Sequence, residues 1–75
     1  MNKQRRKKLE QLKEQCETLM EELEEVLAEE EECRDNIPEN LQGSERYQIA
    51  DDACEALSSA VDSLQEAISS IEDCI

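Results

Sequence analysis

Apolar residues recur along two long stretches of the chain at steps that alternate between three and four residues. The first stretch contains Leu9, Leu12, Cys16, Leu19, Leu23, Val26, Cys33 and Ile37, with Glu30 as its one break. The second contains Tyr47, Ala50, Cys54, Leu57, Val61, Leu64, Ile68, Ile71 and Ile75. This spacing keeps one apolar seam of a helix turned toward a partner helix. The pattern therefore predicts two amphipathic helices that pack along their seams.

A short connector with the only proline and the only glycine separates the two patterns. The predicted helices cover residues 6–35 and 45–75, and the connector covers 36–44. Pro38 cannot continue the first helix, and Ser44 is a suitable N-cap for the second. The fold class is therefore all-α, a single-domain antiparallel helical hairpin of the coiled-coil type.

The residues of the connector give two further expectations. Gly43 is expected to take a positive φ, which glycine adopts without steric cost. Ile37 and Leu41 are expected to turn inward and close that end of the hairpin.

A second, shallower apolar stripe accompanies each seam. In the second helix it consists of Ala53, Ala60, Ala67 and Cys74, and in the first the widening occurs at Met20 and Leu27. A face three positions wide per heptad is typical of helices that touch two neighbours. A 75-residue chain also draws only ~3–5 kcal/mol from one core. We therefore expect two hairpins to join as a homodimeric four-helix bundle, with a monomeric hairpin or a partner-dependent fold as alternatives.

Charge is distributed unevenly along the chain, which carries 21 acidic and 8 basic residues for a net charge of −13. The first 13 residues hold six bases and one acid, a net of +5, and the remainder holds two bases and 20 acids, a net of −18. Such an acidic body repels nucleic acid and anionic lipid. Nucleic-acid binding is therefore not expected, and any such binding would involve the amino-terminal tip.

The basic tip has two interpretations. In an antiparallel hairpin, residues Lys3 to Lys13 lie beside the end of the second helix, where Glu72 and Asp73 add to the negative end of the helix dipole. The alternative is an anchor for nucleic acid or membrane. We expect the intramolecular acidic partner, and some fraying at the amino-terminal end of the helix, because positive side chains oppose its dipole.

The four cysteines are far apart in sequence, and the chain has no histidine. The usual zinc-binding spacings are therefore absent, and no metal or cofactor is expected. We expect small, mostly buried residues with free thiols, as is usual in a reducing compartment. One register of the hairpin would instead bring Cys33 to Cys54 and Cys16 to Cys74, so disulfides at these two pairs remain an alternative, and a shorter register would separate both pairs.

Catalytic chemistry is not indicated by any motif. The acidic runs lack the glycine and the spacing of a calcium loop, and no glycine-rich phosphate cradle is present. Without histidine there is no base to activate a thiol, and nearby carboxylates raise a thiol pKa. We therefore predict no catalytic residues and no enzyme activity. Glu30 is interpreted as an opening of the seam near the connector, or as a partner of Arg34 one turn on.

The stretch RDNIPENLQGSERY, between a glutamate-rich helix and ALSSAVDSLQEAISSIED, resembles a group of short acidic proteins, mostly uncharacterised, that are encoded in phages and prophages of Gram-positive bacteria. The resemblance implies a small phage-linked protein in the bacterial cytoplasm and carries no catalytic residue or cofactor. The absence of a secretory signal or of an apolar membrane segment leads to the same expected location.

Two functions fit these features. The first is a protein-binding module that occupies a basic surface of a host protein and could inhibit a host defence system, with carboxylates standing in for phosphates. The second is a structural or assembly subunit with no inhibitory role, whose charge keeps it in solution.

Overall fold

A computed structural model describes all of residues 1–75 as two long antiparallel helices. Helix α1 spans Lys3–Asp35, a single 3₁₀ turn spans Glu39–Leu41, and helix α2 spans Glu45–Cys74. The hairpin measures 59 × 15 × 12 Å. The all-α hairpin predicted from the sequence is confirmed.

Helix α1 begins three residues before the expected position. The side chain of Asn2 accepts a hydrogen bond from the backbone N–H of Arg5 at 2.8 Å, and this cap satisfies one of the free N–H groups of the first turn. The basic residues are helical from Lys3 onward, and the Asn2 cap favours the first turn although positive side chains lie at the positive end of the dipole.

The connector closes the hairpin with backbone hydrogen bonds. Leu41 N–H donates to the Pro38 carbonyl at 2.8 Å, and Ser44 N–H donates to the Leu41 carbonyl at 3.0 Å. The hydroxyl of Ser44 accepts from the N–H of Tyr47 at 3.3 Å, as expected of an N-cap. Ile37 is buried as predicted.

Two expectations for the connector are wrong. No residue has a positive φ, so Gly43 does not use its special conformational freedom. The 3₁₀ turn reverses the chain within ordinary φ values instead. Leu41 points to solvent and is 50% exposed, since the tight turn directs it away from the helices.

The seam of α2 follows the residues that the sequence indicated. Ala50, Cys54 and Ile68 are buried, and the side chains between them at the same spacing are half-buried. Ile75 is the exception, since it lies beyond the last helical residue and is exposed.

The seam of α1 lies on a different flank from the one expected. Leu12, Leu19, Val26 and Cys33 are all exposed, whereas the residue after each of them is half-buried. The observed row consists of Leu9, Lys13, Cys16, Met20, Leu23, Leu27, Glu30, Arg34 and Ile37. The steps of this row also alternate between three and four residues, but the step after Leu9 is four residues where three was expected. Helix α1 is therefore rotated about its axis relative to the expectation.

Two ion pairs between the helices accompany this rotation and mark the register. Arg34 Nη1 lies 3.1 Å from Asp51 Oδ1, and Lys13 Nζ lies 3.8 Å from Glu72 Oε1. Lys and Arg can lay their apolar stems along a seam while their charged ends reach the surface. Turning α1 the other way would replace these two side chains with Leu12 and Cys33 and would separate both ion pairs.

The core of the single hairpin is thin. Only Ile37, Ala50, Cys54 and Ile68 are buried, and no side chain is completely enclosed. Neither long helix has a stretch apolar enough to cross a lipid bilayer.

Candidate interaction surfaces

One broad side of the hairpin is lined by small and large apolar residues. We call it the apolar face and define it by Leu12, Leu19, Val26 and Cys33 of α1 and Ala53, Ala60, Ala67 and Cys74 of α2. Leu19 and Val26 are 49% and 48% exposed. Each row repeats every seven residues, which brings its members onto one flank of a helix.

A groove near the connector shows that the two rows lie on the same side. Cys33 of α1 and Ile49 of α2 both line this groove, whose volume is about 250 Å³. Ala53 follows Ile49 by one helical turn, so its row continues along the flank that Ile49 occupies. The register of the ion pairs then sets each large residue level with a small one: Leu12 with Cys74, Leu19 with Ala67, Val26 with Ala60, and Cys33 with Ala53.

The opposite side of the hairpin is acidic. We call it the acidic face and define it by Glu10, Glu17, Glu24 and Glu31 of α1 and Asp51, Glu55, Asp62 and Glu72 of α2. A second hollow confirms that the two helices contribute to this side together, because Glu31 and Arg34 line it with Cys54, Glu55 and Ser58. The four glutamates repeat every seven residues, as the leucines do on the other flank.

Two bases interrupt the acidic face at its ends. Arg34 donates hydrogen bonds to Asp35 and Asp51, both at 3.1 Å, and the hydrogen bond with Asp35 raises the pKa of Arg34 further above its ordinary value. Lys13 lies 4.0 Å from Glu17 as well as close to Glu72. The remaining carboxylates of the face form no ion pair, so they are free to meet positive charge from outside.

The cysteines do not pair. All four are free thiols, so neither Cys33–Cys54 nor Cys16–Cys74 forms a disulfide. Cys33 belongs to the apolar face while Cys54 lies buried in the seam, and the two side chains therefore point in different directions. The register sets Cys16 level with Ser69, about 7.5 Å along the axis from the level of Cys74, which is too far for a disulfide.

Burial raises the pKa of the Cys54 thiol, and the nearby positive charge of Arg34 opposes the increase only in part. The thiol is consequently held in its protonated, unreactive form. Glu30 does not pair with Arg34, whose hydrogen bonds go to aspartates; it borders the groove beside Cys33 instead. No group of three potential metal ligands converges anywhere in the hairpin.

The basic tip extends past the end of α2. In the observed register Ile75 lies level with Glu10, so residues 3–9 continue for about 10 Å without a neighbouring helix. Lys3, Arg5, Arg6, Lys7 and Lys8 are all exposed and form no ion pair. The expected intramolecular acidic partner is therefore present for Lys13 alone.

No protein-family model, no curated protein and no solved structure matches the chain.

Proposed function

We propose that this protein is a non-catalytic interaction module that self-associates through its apolar face and binds a basic surface of another protein through its acidic face. The single observation that carries the proposal is the difference between the two sides of one hairpin. Four apolar side chains repeat every seven residues along one flank of α1, and four glutamates repeat along the opposite flank.

Self-association is supported by the unused apolar surface. Four buried residues are few for a chain of this length, and Leu19, Val26 and Ile49 are each about half exposed or more. Two hairpins that pair through their apolar faces form a homodimeric four-helix bundle, in which each helix contacts two neighbours. The acidic faces then point outward on opposite sides of the dimer.

Binding to a basic protein is supported by the unpaired carboxylates. Five carboxylates of the acidic face, those of Glu10, Glu24, Glu31, Glu55 and Asp62, form no ion pair. Such a row attracts a positively charged surface and repels acidic ones. Surfaces that bind nucleic acid have this positive charge, so a nucleic-acid-binding protein of a bacterial host, including a defence nuclease, is the partner class that we propose. The proposed place of action is the cytoplasm of a bacterium that carries the phage or prophage gene.

The test uses two variants that lose the same number of charges. One carries Glu17→Gln, Glu24→Gln and Glu31→Gln on the acidic face. The control carries Glu21→Gln, Glu25→Gln and Glu66→Gln, which are exposed on the outer sides of the helices. Immobilised protein is incubated with bacterial lysate at low and high salt, and the retained proteins are identified by mass spectrometry.

We expect a basic partner that is retained at low salt, is released at high salt, and is lost with the acidic-face variant but not with the control. Equal loss with both variants would mean that net charge alone is responsible, and the proposed binding face would be rejected.

An assembly subunit is the second candidate, and the exposed apolar face favours it. In that case the lysate experiment recovers only the protein itself or components of a phage particle, and the two glutamine variants behave alike.

A further inference from the structure

The orientation of the two hairpins follows from the charges at their ends. We infer that the second copy on the apolar face lies in the opposite direction, so that the two connectors are at opposite ends of the dimer and each basic tip lies against the acidic connector end of its partner. The inference rests on the proposed self-association but not on the proposed basic partner.

A second copy covers the broad side of the hairpin and not the apolar residues alone. That side has a footprint of 59 Å by 15 Å. The footprint is on the order of 900 Å², comparable with the ~800 Å² that each partner contributes to an interface of standard size. A smaller interface would not offset the loss of freedom on association.

Each row of the apolar face can also pack against the same row of the second copy. A two-fold axis across the middle of the face, between the levels of Leu19 and Val26, places Leu19 of one copy against Val26 of the other. The same axis places Ala60 against Ala67 of the second copy. Large residues then fill the space between the two α1 helices, and small residues allow the two α2 helices to approach closely.

Charge decides between this orientation and the alternative with both connectors at one end. In the alternative, the two basic tips lie side by side, each with five exposed and unpaired bases. In the opposite orientation the level of Leu12 matches that of Cys33 of the second copy, so residues 3–8 reach the connector end. Residues 30–46 at that end hold six acids and two bases, a net of −4. Glu30 and Arg46 line the groove of the apolar face beside Cys33. Attraction replaces repulsion at both ends of the dimer.

The first experiment tests whether the basic tips strengthen or weaken the dimer. Sedimentation equilibrium of the full chain gives the dissociation constant of the dimer at low salt, and the variant Arg5→Gln with Lys8→Gln removes two bases from each tip. We expect the dissociation constant to rise several-fold in the variant. A dissociation constant that falls in the variant would indicate neighbouring basic tips and would overturn the inference.

The second experiment measures the orientation directly. In a chain with Cys74→Ser, the substitution Leu12→Cys places a new thiol level with Cys33 of the second copy. Within one chain these positions are 21 residues apart on one helix, about 32 Å, so a disulfide between them can form only between copies. Mild oxidation followed by peptide mapping identifies the bonded cysteines, and Thr18→Cys, on the outer side of α1, is the matched control.

We expect a covalent dimer bonded between positions 12 and 33, and no such bond from Thr18→Cys. A second cysteine pair tests the same orientation between the two α2 helices, in case the first pair has unsuitable geometry for a disulfide. It combines Ala53→Cys with the native Cys74 in a chain that also carries Cys33→Ser.

These results distinguish the inferred orientation from the proposed self-association. A dimer in solution in which neither pair bonds overturns the inferred orientation and leaves self-association standing. A chain that remains monomeric at high concentration overturns both. Leu19→Gln should raise the dissociation constant on the order of tenfold, whereas Thr18→Gln should leave it unchanged.

Discussion

At the scale of single residues, burial separates four cysteines that look alike in the sequence. Cys33 and Cys74 are exposed, Cys16 is half-buried, and Cys54 lies in the seam. Each of them fits a heptad position, so the sequence predicted small apolar residues for all four. What distinguishes Cys54 is its surroundings, which disfavour the charged thiolate.

We predict that Cys54 reacts with an alkylating reagent more slowly than the other three thiols. Burial raises its pKa in the folded protein, so the protonated form favours folding at a pH below the ordinary thiol pKa, and this contribution is lost as the pH rises through the folded value. Mass spectrometry of partially alkylated protein gives the order of reaction. In urea the four rates should become similar, and a Cys54 that reacts as fast as Cys74 in the folded state would contradict the assignment.

Gly43 provides a second prediction at this scale. Its φ is not positive, and a Cβ at this position would have no atom within 4 Å. Gly43→Ala should therefore increase the free energy of unfolding by about 0.4–1 kcal/mol, because alanine has fewer conformations to lose on folding. Urea denaturation measures the change. A loss of stability would mean that the turn needs glycine after all.

At the scale of the helices, the two seams were predicted with different success. In α2 only one strongly apolar face exists, so the heptad pattern selects it without ambiguity. In α1 two overlapping rows fit the same spacing, one through Leu19 and Val26 and the other through Met20 and Leu27. Hydrophobicity favours the first row, which has Leu12 and Cys33 where the second has Lys13 and Arg34. The observed seam is nevertheless the second row, with Lys13 and Arg34 paired to acids of α2.

Ile68 is the most buried side chain, at 3% exposure, and it anchors the half of the seam farther from the connector. We predict that Ile68→Val lowers the free energy of unfolding by about 0.5–1.5 kcal/mol, since one methylene is removed from a packed site. The matched control Ile75→Val makes the same change at the exposed end of the chain and should have an effect within about 0.5 kcal/mol. Equal effects in thermal denaturation would show that the seam is not packed at Ile68.

At the scale of the whole molecule, the excess of negative charge opposes the folded state. A net charge of −13 is confined to a rod about 59 Å long, and four ion pairs offset only a small part of the repulsion. In the proposed dimer, the free energy gained by burying the apolar face offsets the repulsion among the carboxylates of the acidic face.

We predict that the melting temperature rises as the ionic strength increases from 0.01 M to 0.15 M at constant protein concentration. Salt shortens the screening length from about 30 Å to about 8 Å and weakens repulsion among the many unpaired carboxylates more than attraction in the few ion pairs. Circular dichroism at 222 nm follows the transition. A melting temperature that falls over this range would show that the ion pairs outweigh the repulsion.

The heptad spacing, one proline and Ser44 were sufficient to determine the two helices, the turn between them and the seam of α2, because these features depend on local geometry and on burying one apolar stripe. The rotation of α1 could not be determined in this way, since both of its candidate seams satisfy the same spacing. Only the tertiary structure, in which Lys13 and Arg34 reach acids on the facing helix, places Leu12, Leu19 and Val26 outside the seam. That placement creates the free apolar face, and it also leaves the basic tip beyond the end of α2.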